Sequence, residues 1–284
     1  MSSYRAVGGL REIAGDYDLF LIDQFGVLHD GQAPYPGAIR VLEKLKSEAK
    51  TVVLLSNSGR RSTANATRME ALGFPSDLYD HFVTSGEVAW HQLSAGSGAG
   101  QTRRCLLLSR GGTRSAVEGL GLELVEDGAD ADLVLLAGSD GDSVPLEHYL
   151  ENLRPAAERK VPCLCTNPDK IMITAAGLRY GAGRIAEEYE ALGGPVEWIG
   201  KPWPSIYRFA LERCSGADGE GEDKRIIGIG DSIEHDIAGA RGIGAASLLI
   251  KGGILADADE AELSALFAKY KAAPDFLSQS FAWD

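Results

Sequence analysis

Leu19-Phe20-Leu21-Ile22-Asp23-Gln24-Phe25-Gly26-Val27-Leu28 is the stretch on which the fold turns. Its apolar run reads as a strand, and it delivers a carboxylate into a glycine-containing turn. Open α/β sheets keep their chemistry beyond the carboxyl ends of their strands, so Asp23 is a candidate functional residue by position alone. A second segment repeats the pattern: Arg225-Ile226-Ile227-Gly228-Ile229-Gly230-Asp231 is again an apolar strand that ends in an aspartate. Two strands that end in carboxylates can converge on one cation.

Between these segments strand-like runs alternate with helical patterns, the order of a mainly parallel sheet with helices on both faces. The strand over residues 19–23 leads through a loop holding Gly31, Pro34, Pro36 and Gly37 into a helix whose apolar positions include Ile39, Leu42 and Leu45. A strand over 51–55 ends at Ser56-Asn57-Ser58-Gly59, a helix over 62–72 is stopped by Gly73, and a short strand covers 81–84. The alternation then restarts, with strands expected over 104–108, 133–137 and 161–165 and helices over 115–120 and 146–159. Ser94 to Gly100 reads as a flexible Gly-Ser loop. After Gly193-Gly194-Pro195 a helix over 204–214 and strands over 225–230 and 245–250 return to the first sheet. The order predicts a discontinuous α/β core, residues 1–89 and 197–284, interrupted by a second α/β domain over 90–196.

The composition fits a folded chain: 284 residues, 44% hydrophobic and 24% charged. A net charge of -13 argues against nucleic acid as a partner, because phosphate backbones select basic surfaces. No stretch approaches the roughly 18 apolar residues of a membrane span, and no secretory h-region follows Met1, so no membrane partner and a cytoplasmic location are expected. Cys163 and Cys165 alternate on one strand face and read, with Cys105 and Cys214, as free thiols. Gly228-Ile229-Gly230 lacks the third glycine of a dinucleotide loop, since Ile233 stands there.

Four segments form one constellation. Phosphoryl transfer needs a nucleophile, donors for the phosphoryl oxygens, a cation and a fixed positive side chain. Asp23 supplies the first, and Ser56, Asn57 and Ser58 the donors. Lys201, opening the helix after the inserted region, supplies the positive charge. Asp231 and Asp236 join Asp23 as candidate ligands for Mg2+, whose hard octahedral sphere favours oxygen. In this order Asp23 to Leu28, Ser56-Asn57, Lys201 and Gly230 to Ile237 resemble the four motifs of the haloacid dehalogenase superfamily of aspartate-nucleophile hydrolases. The long insertion with Thr166-Asn167-Pro168-Asp169 resembles that of its class IIA branch. The resemblance implies a Rossmannoid core under an α/β cap, and a small phosphorylated metabolite as substrate. It also implies a metal held by Asp23, the Phe25 carbonyl and Asp231 with Asp236 behind them, and a homodimer made through the cap.

The departure lies at Phe25. The family's phosphatases carry a second aspartate two positions after the nucleophile, which protonates the leaving oxygen and then activates water; phenylalanine does neither. General acid–base catalysis contributes about 10²- to 10⁴-fold in rate. Three readings follow: a magnesium-dependent phosphatase, a phosphoryl-ligand binding protein with weak or no turnover, and a carbon–halogen hydrolase, the last disfavoured by where the insertion falls. His29 and Asp30 are the neighbours to weigh as a replacement acid; otherwise Asp30 closes a turn with Gly31 and His29 lies at the surface. In the insertion, Thr166 to Asp169, Arg110-Gly111-Gly112-Thr113-Arg114 and Gly181 to Arg184 are candidate specificity elements or ordinary loops.

Overall fold

The structure is a computed structural model, and it describes residues 4–96, 103–174, 177–215, 224–252 and 255–284. The strands in chain order are β1 (Arg5–Ala6), β2 (Leu19–Asp23), β3 (Thr51–Ser56), β4 (His81–Thr84), β5 (Arg104–Leu108), β6 (Glu123–Val125) and β7 (Leu133–Leu136). They continue with β8 (Cys163–Cys165), β9 (Ile171–Thr174), β10 (Gly177–Tyr180), β11 (Val196–Trp198), β12 (Ile226–Gly230), β13 (Ala246–Ile250) and β14 (Phe276–Ser278). The chain forms two compact units, one of residues 1–56, 65–83 and 201–284, the other of residues 57–64 and 84–200.

The first unit is built on a seven-stranded sheet in the order β1-β14-β13-β12-β2-β3-β4. Its centre is apolar on both sides: Leu19, Phe20, Leu21 and Ile22 of β2 are all buried, as expected of a parallel strand covered by helices on both faces. Alternation along the strands sends neighbouring residues into different cores. Leu248 packs with Phe20, Leu42, Leu45 and Leu54 in one core, whereas the next residue, Leu249, packs with Ile237, Leu263 and Phe267 in another. The helix Ala38–Ser47 buries Ala38, Val41, Leu42 and Leu45. On the opposite face the helix Glu260–Tyr270 starts with a capping box between Asp259 and Glu262.

Strand order also fixes where the ends meet. The chain runs outward from β2 through β3 to β4 on one side and from β12 through β13 to β14 on the other, so the order reverses between β2 and β12. That switch point opens a crevice at the carboxyl ends of adjacent strands.

The second unit has its own parallel sheet, in the order β11-β8-β7-β5-β6, and an antiparallel pair β9–β10. Helices Leu146–Glu158 and Ala182–Ala191 pack Leu153, Ala157, Ile185 and Tyr189 against Leu106, Val134, Cys163 and Cys165. Both cysteines of Cys163-Leu164-Cys165 enter this one core, as their alternation predicts, and the thiols are free.

Several local expectations need correction. Residues 115–120 are not helical: Val117 N–H donates to Arg114 and Leu120 N–H to Val117 in separate turns, and Gly119 and Gly121 sit at φ +77° and +65°, outside the helical region. The strand over 161–165 starts only at Cys163, because Pro162 has no N–H to give a ladder. Ser94 and Ala95 end an unforeseen helix, Ser85–Ala95, whose first turn is capped by Thr84 accepting from Glu87 N–H at 3.0 Å. Gly96 caps that helix, its N–H donating to the Gln92 carbonyl, and residues 97–100 of the Gly-Ser stretch lie outside the described residues. Gly181 to Arg184 begins the helix Ala182–Ala191 rather than forming a free loop.

Phe20 is fully buried at the middle of the central strand. Phe20→Ala is expected to lower the stability of the first unit by about 3–5 kcal/mol, mostly through an uncollapsed cavity, seen as a lower denaturant midpoint with an unchanged slope.

Candidate active site

Parallel register places three strand ends side by side. Ile22 lies opposite Ile229 of β12, and Asp23 opposite Leu55 of β3, so Asp23, Ser56 and Asp231 stand at the carboxyl ends of three neighbouring strands. Each terminates a buried apolar run, so the sheet that sequesters the run also delivers the polar residue to its rim. Ser56 and Asp231 are themselves almost buried. Gln24 Nε2 donates to Ser56 Oγ at 2.5 Å, which ties the turn after β2 to the end of β3.

Lys201 completes the group from the other side of the chain. Its Nζ lies 2.6 Å from Asp23 Oδ1 and 2.6 Å from Asp236 Oδ1. Asp236 uses its other oxygen to accept the Ser232 N–H at 3.0 Å. Burial disfavours the charge on Lys201, but Asp23 and Asp236 outweigh it and hold the ammonium well above its usual range. Burial pushes Asp23 above the ordinary carboxylate range; Lys201 opposes that rise and Asp236 adds to it. The outcome is a cation fixed between two carboxylates, with Asp23 at the open strand end.

Asp23, Asp231 and Asp236 each bring a carboxylate oxygen within 4.8 Å of the others. Hard oxygen donors at this spacing suit magnesium or calcium. The backbone is shaped to allow the approach. Gly26 adopts φ +86°, and a Cβ there would stand 2.0 Å from Asp231 Oδ2. At Gly230 a Cβ would come within 2.0 Å of Asp236 Cγ. Only glycine fits at either place, because the carboxylates occupy the room that a side chain needs.

Phe25 leaves this group, with 40% of its surface exposed. Its ring meets His29 edge-on at 5.8 Å, and His29 also lies against Phe74. The surface position expected for His29 is therefore wrong: the ring is 1% exposed, enclosed by aromatic neighbours. Gly31 N–H donates to His29 Nδ1 at 3.0 Å, so the neutral ring carries its proton on Nε2, which is buried without a partner. Asp30 closes the expected turn, its Oδ1 accepting from Gln32 and Ala33 N–H at 2.8 Å each.

Asn57 and Ser58 group with the second unit. Asn57 Nδ2 donates to Asp169 Oδ1 at 2.8 Å, and Ser58 Oγ accepts from Arg60 N–H. The polar turn Thr166 to Asp169 thus has a defined partner, which sequence reading missed because 112 residues separate the two. Arg110 is paired with Asp142 at 2.7 Å.

Comparison with known proteins bears on the family and the fold. A family model described as haloacid dehalogenase-like hydrolase matches residues 20–123, and a second, HAD-hydrolase-like, matches residues 198–283. A crystal structure of a hydrolase of the haloacid dehalogenase-like family from Brucella suis 1330 superposes with a TM-score of 0.83 at 30% identity, covering 97% of this chain and 100% of that one. The D-glycerol 3-phosphate phosphatase of Mycobacterium tuberculosis is 28% identical over 249 residues, 86% of this chain; the chain spans 66% of that enzyme's length. A structure of a glycerol phosphate phosphatase from the same organism in complex with calcium aligns with a TM-score of 0.70 at 25% identity, covering 95% of this chain and 75% of that one. Among the described residues no helix is long and apolar enough to cross a membrane.

Burial, followed by the nearby Arg68 charge, lowers His29 from 6.5 to about 4. Between those values the unfolded chain takes up a proton that folded His29 refuses, so this residue makes stability rise with pH from about 4 to 6.5. Urea titrations across that range are expected to show a shallower rise in stability for His29→Phe than for the native chain.

Proposed function

The chain belongs to the haloacid dehalogenase-like hydrolases, in the class IIA branch, and on that premise we propose that it is a magnesium-dependent phosphatase of a small phosphorylated metabolite. The observation that carries this reading is Lys201 Nζ held 2.6 Å from Asp23 Oδ1 at the carboxyl end of the central strand. A bare carboxylate repels a phosphate dianion. A fixed ammonium beside it lets nucleophile and phosphoryl group approach, and it is fixed before substrate arrives.

In this reading Asp23 attacks phosphorus to form an aspartyl phosphate, and Ser56 Oγ with the neighbouring backbone N–H groups holds the phosphoryl oxygens. Asn57 and Ser58, next in the chain, are the further donors proposed for substrate. Asp236 orients Lys201, since both its oxygens are already committed to Lys201 and to Ser232 N–H. Magnesium would be held by Asp23, the Phe25 carbonyl and Asp231, and when bound it neutralises charge on the transferring group. Residues 1–89 and 197–284 form the core in this reading, and residues 90–196 the cap that selects the substrate.

Phosphate release with magnesium tests the reading. Asp23→Asn is expected to abolish release, and chelation of the metal to suppress it reversibly; release unchanged in Asp23→Asn removes Asp23 as nucleophile. Lys201→Met is expected to lower kcat/KM by about 10²- to 10³-fold, the scale for losing one fixed charge-stabilising group.

Gly26 provides a separate check. Gly26→Ala is expected to weaken magnesium binding about 10- to 100-fold by displacing Asp231, the range for disturbing the support of a metal ligand. Isothermal titration with magnesium alone reads it, and unaltered affinity would place the cation away from Asp231.

A further inference from the structure

The surroundings of Phe25 narrow the substrate class. Attack by Asp23 on phosphorus breaks the bond between phosphorus and the leaving oxygen, and the electron pair departs with that oxygen. An alkoxide needs a proton as it leaves, whereas a carboxylate, an aryloxide or an enolate is stable without one. The question is which group in the first unit could give that proton.

The neighbouring candidates are committed elsewhere. Phe25 has no proton to give. His29 lies behind the Phe25 ring, its Nδ1 taken by Gly31 N–H and its Nε2 enclosed in the aromatic packing. Asp30 accepts two backbone N–H groups and is held below the ordinary carboxylate range by those bonds, so it stays ionised. Both oxygens of Asp236 are occupied, and Lys201 is shared between Asp23 and Asp236. Gln24, next to the nucleophile, turns its amide to Ser56. His235 has its Nδ1 3.2 Å from Ser232 Oγ.

We propose that this site acts on phosphates carried by an acidic oxygen, acyl phosphates and aryl or enol phosphates, and discriminates against alkyl phosphate esters. The proposal rests on the phosphatase reading above and specifies its substrate. The same gap governs the second half of the reaction. Water must attack the aspartyl phosphate, the bond from phosphorus to Asp23 must break to return the carboxylate, and the water proton must pass to solvent or to the departing phosphate without a positioned base. The phosphoenzyme is therefore long-lived relative to its formation from a good leaving group.

The test is a leaving-group series with magnesium: acetyl phosphate, nitrophenyl phosphate, phenyl phosphate and an alkyl phosphate such as glycerol phosphate, on the native chain, Phe25→Asp and Asp23→Asn. The native kcat/KM is expected to fall by more than about 10²-fold from the acyl to the alkyl phosphate, the lower bound of what a general acid contributes. Phe25→Asp is expected to compress that spread to within about tenfold by raising the alkyl rate. Rapid mixing of the native chain with nitrophenyl phosphate is expected to give a burst of about one nitrophenolate per site before slow turnover. An alkyl phosphate hydrolysed by the native chain within about tenfold of acetyl phosphate overturns the proposal and leaves the phosphatase reading standing. Release that survives Asp23→Asn, or no release from any member of the series, overturns the phosphatase reading itself. If Phe25→Asp does not unfold cooperatively, the native leaving-group dependence and the burst decide alone.

Discussion

A single ammonium, that of Lys201, is buried 2.6 Å from two carboxylates, and the rest of the site is arranged around it. Removing one buried charge from water costs several kcal/mol, and burying three tolerably requires close geometry and satisfied hydrogen bonds. Asp236 meets that demand by accepting from Lys201 on one oxygen and from Ser232 N–H on the other. Asp23 keeps only Lys201 among the cationic side chains described near it, and it remains at the open end of its strand. The two aspartates therefore differ in setting, Asp236 being held on both oxygens and Asp23 standing at the carboxyl end of its strand.

Close convergence depends on backbone that lacks side chains. Gly26 and Gly230 are the points at which a methyl group would collide with Asp231 and Asp236. They lie immediately beyond or at the ends of the two central strands, where the parallel register already brings the chain termini of β2 and β12 together. Sheet, glycines and ion cluster therefore form one unit of design. The apolar strands locate the rim, the glycines let it close, and the lysine balances the charge collected there.

The neighbourhood of Phe25 is apolar beside a charged cluster. Phe25 meets His29 edge-on, and His29 lies tilted against Phe74, so the three rings form an aromatic wall. That wall is consistent packing, with His29 neutral and its Nδ1 satisfied by the backbone.

Much of this was legible before any coordinates. Apolar runs at 19–23, 51–55 and 225–230 announce buried parallel strands, and the aspartates at the ends of two of them stand out because open α/β sheets place their chemistry at the carboxyl ends of strands. Local rules fail where distant partners decide. The segment 115–120 has helical apolar spacing but is held as turns, and His29, polar in sequence, is drawn under aromatic neighbours by packing that no local pattern encodes. By itself the sequence determined the α/β class and the places of Asp23 and Phe25 in the turn after the first core strand, since each depends on residues close together in the chain. Only the tertiary structure decided that Asp236 holds Lys201, that Asn57 meets Asp169 and that His29 is withdrawn from solvent, since these depend on register and packing between segments as much as 112 residues apart.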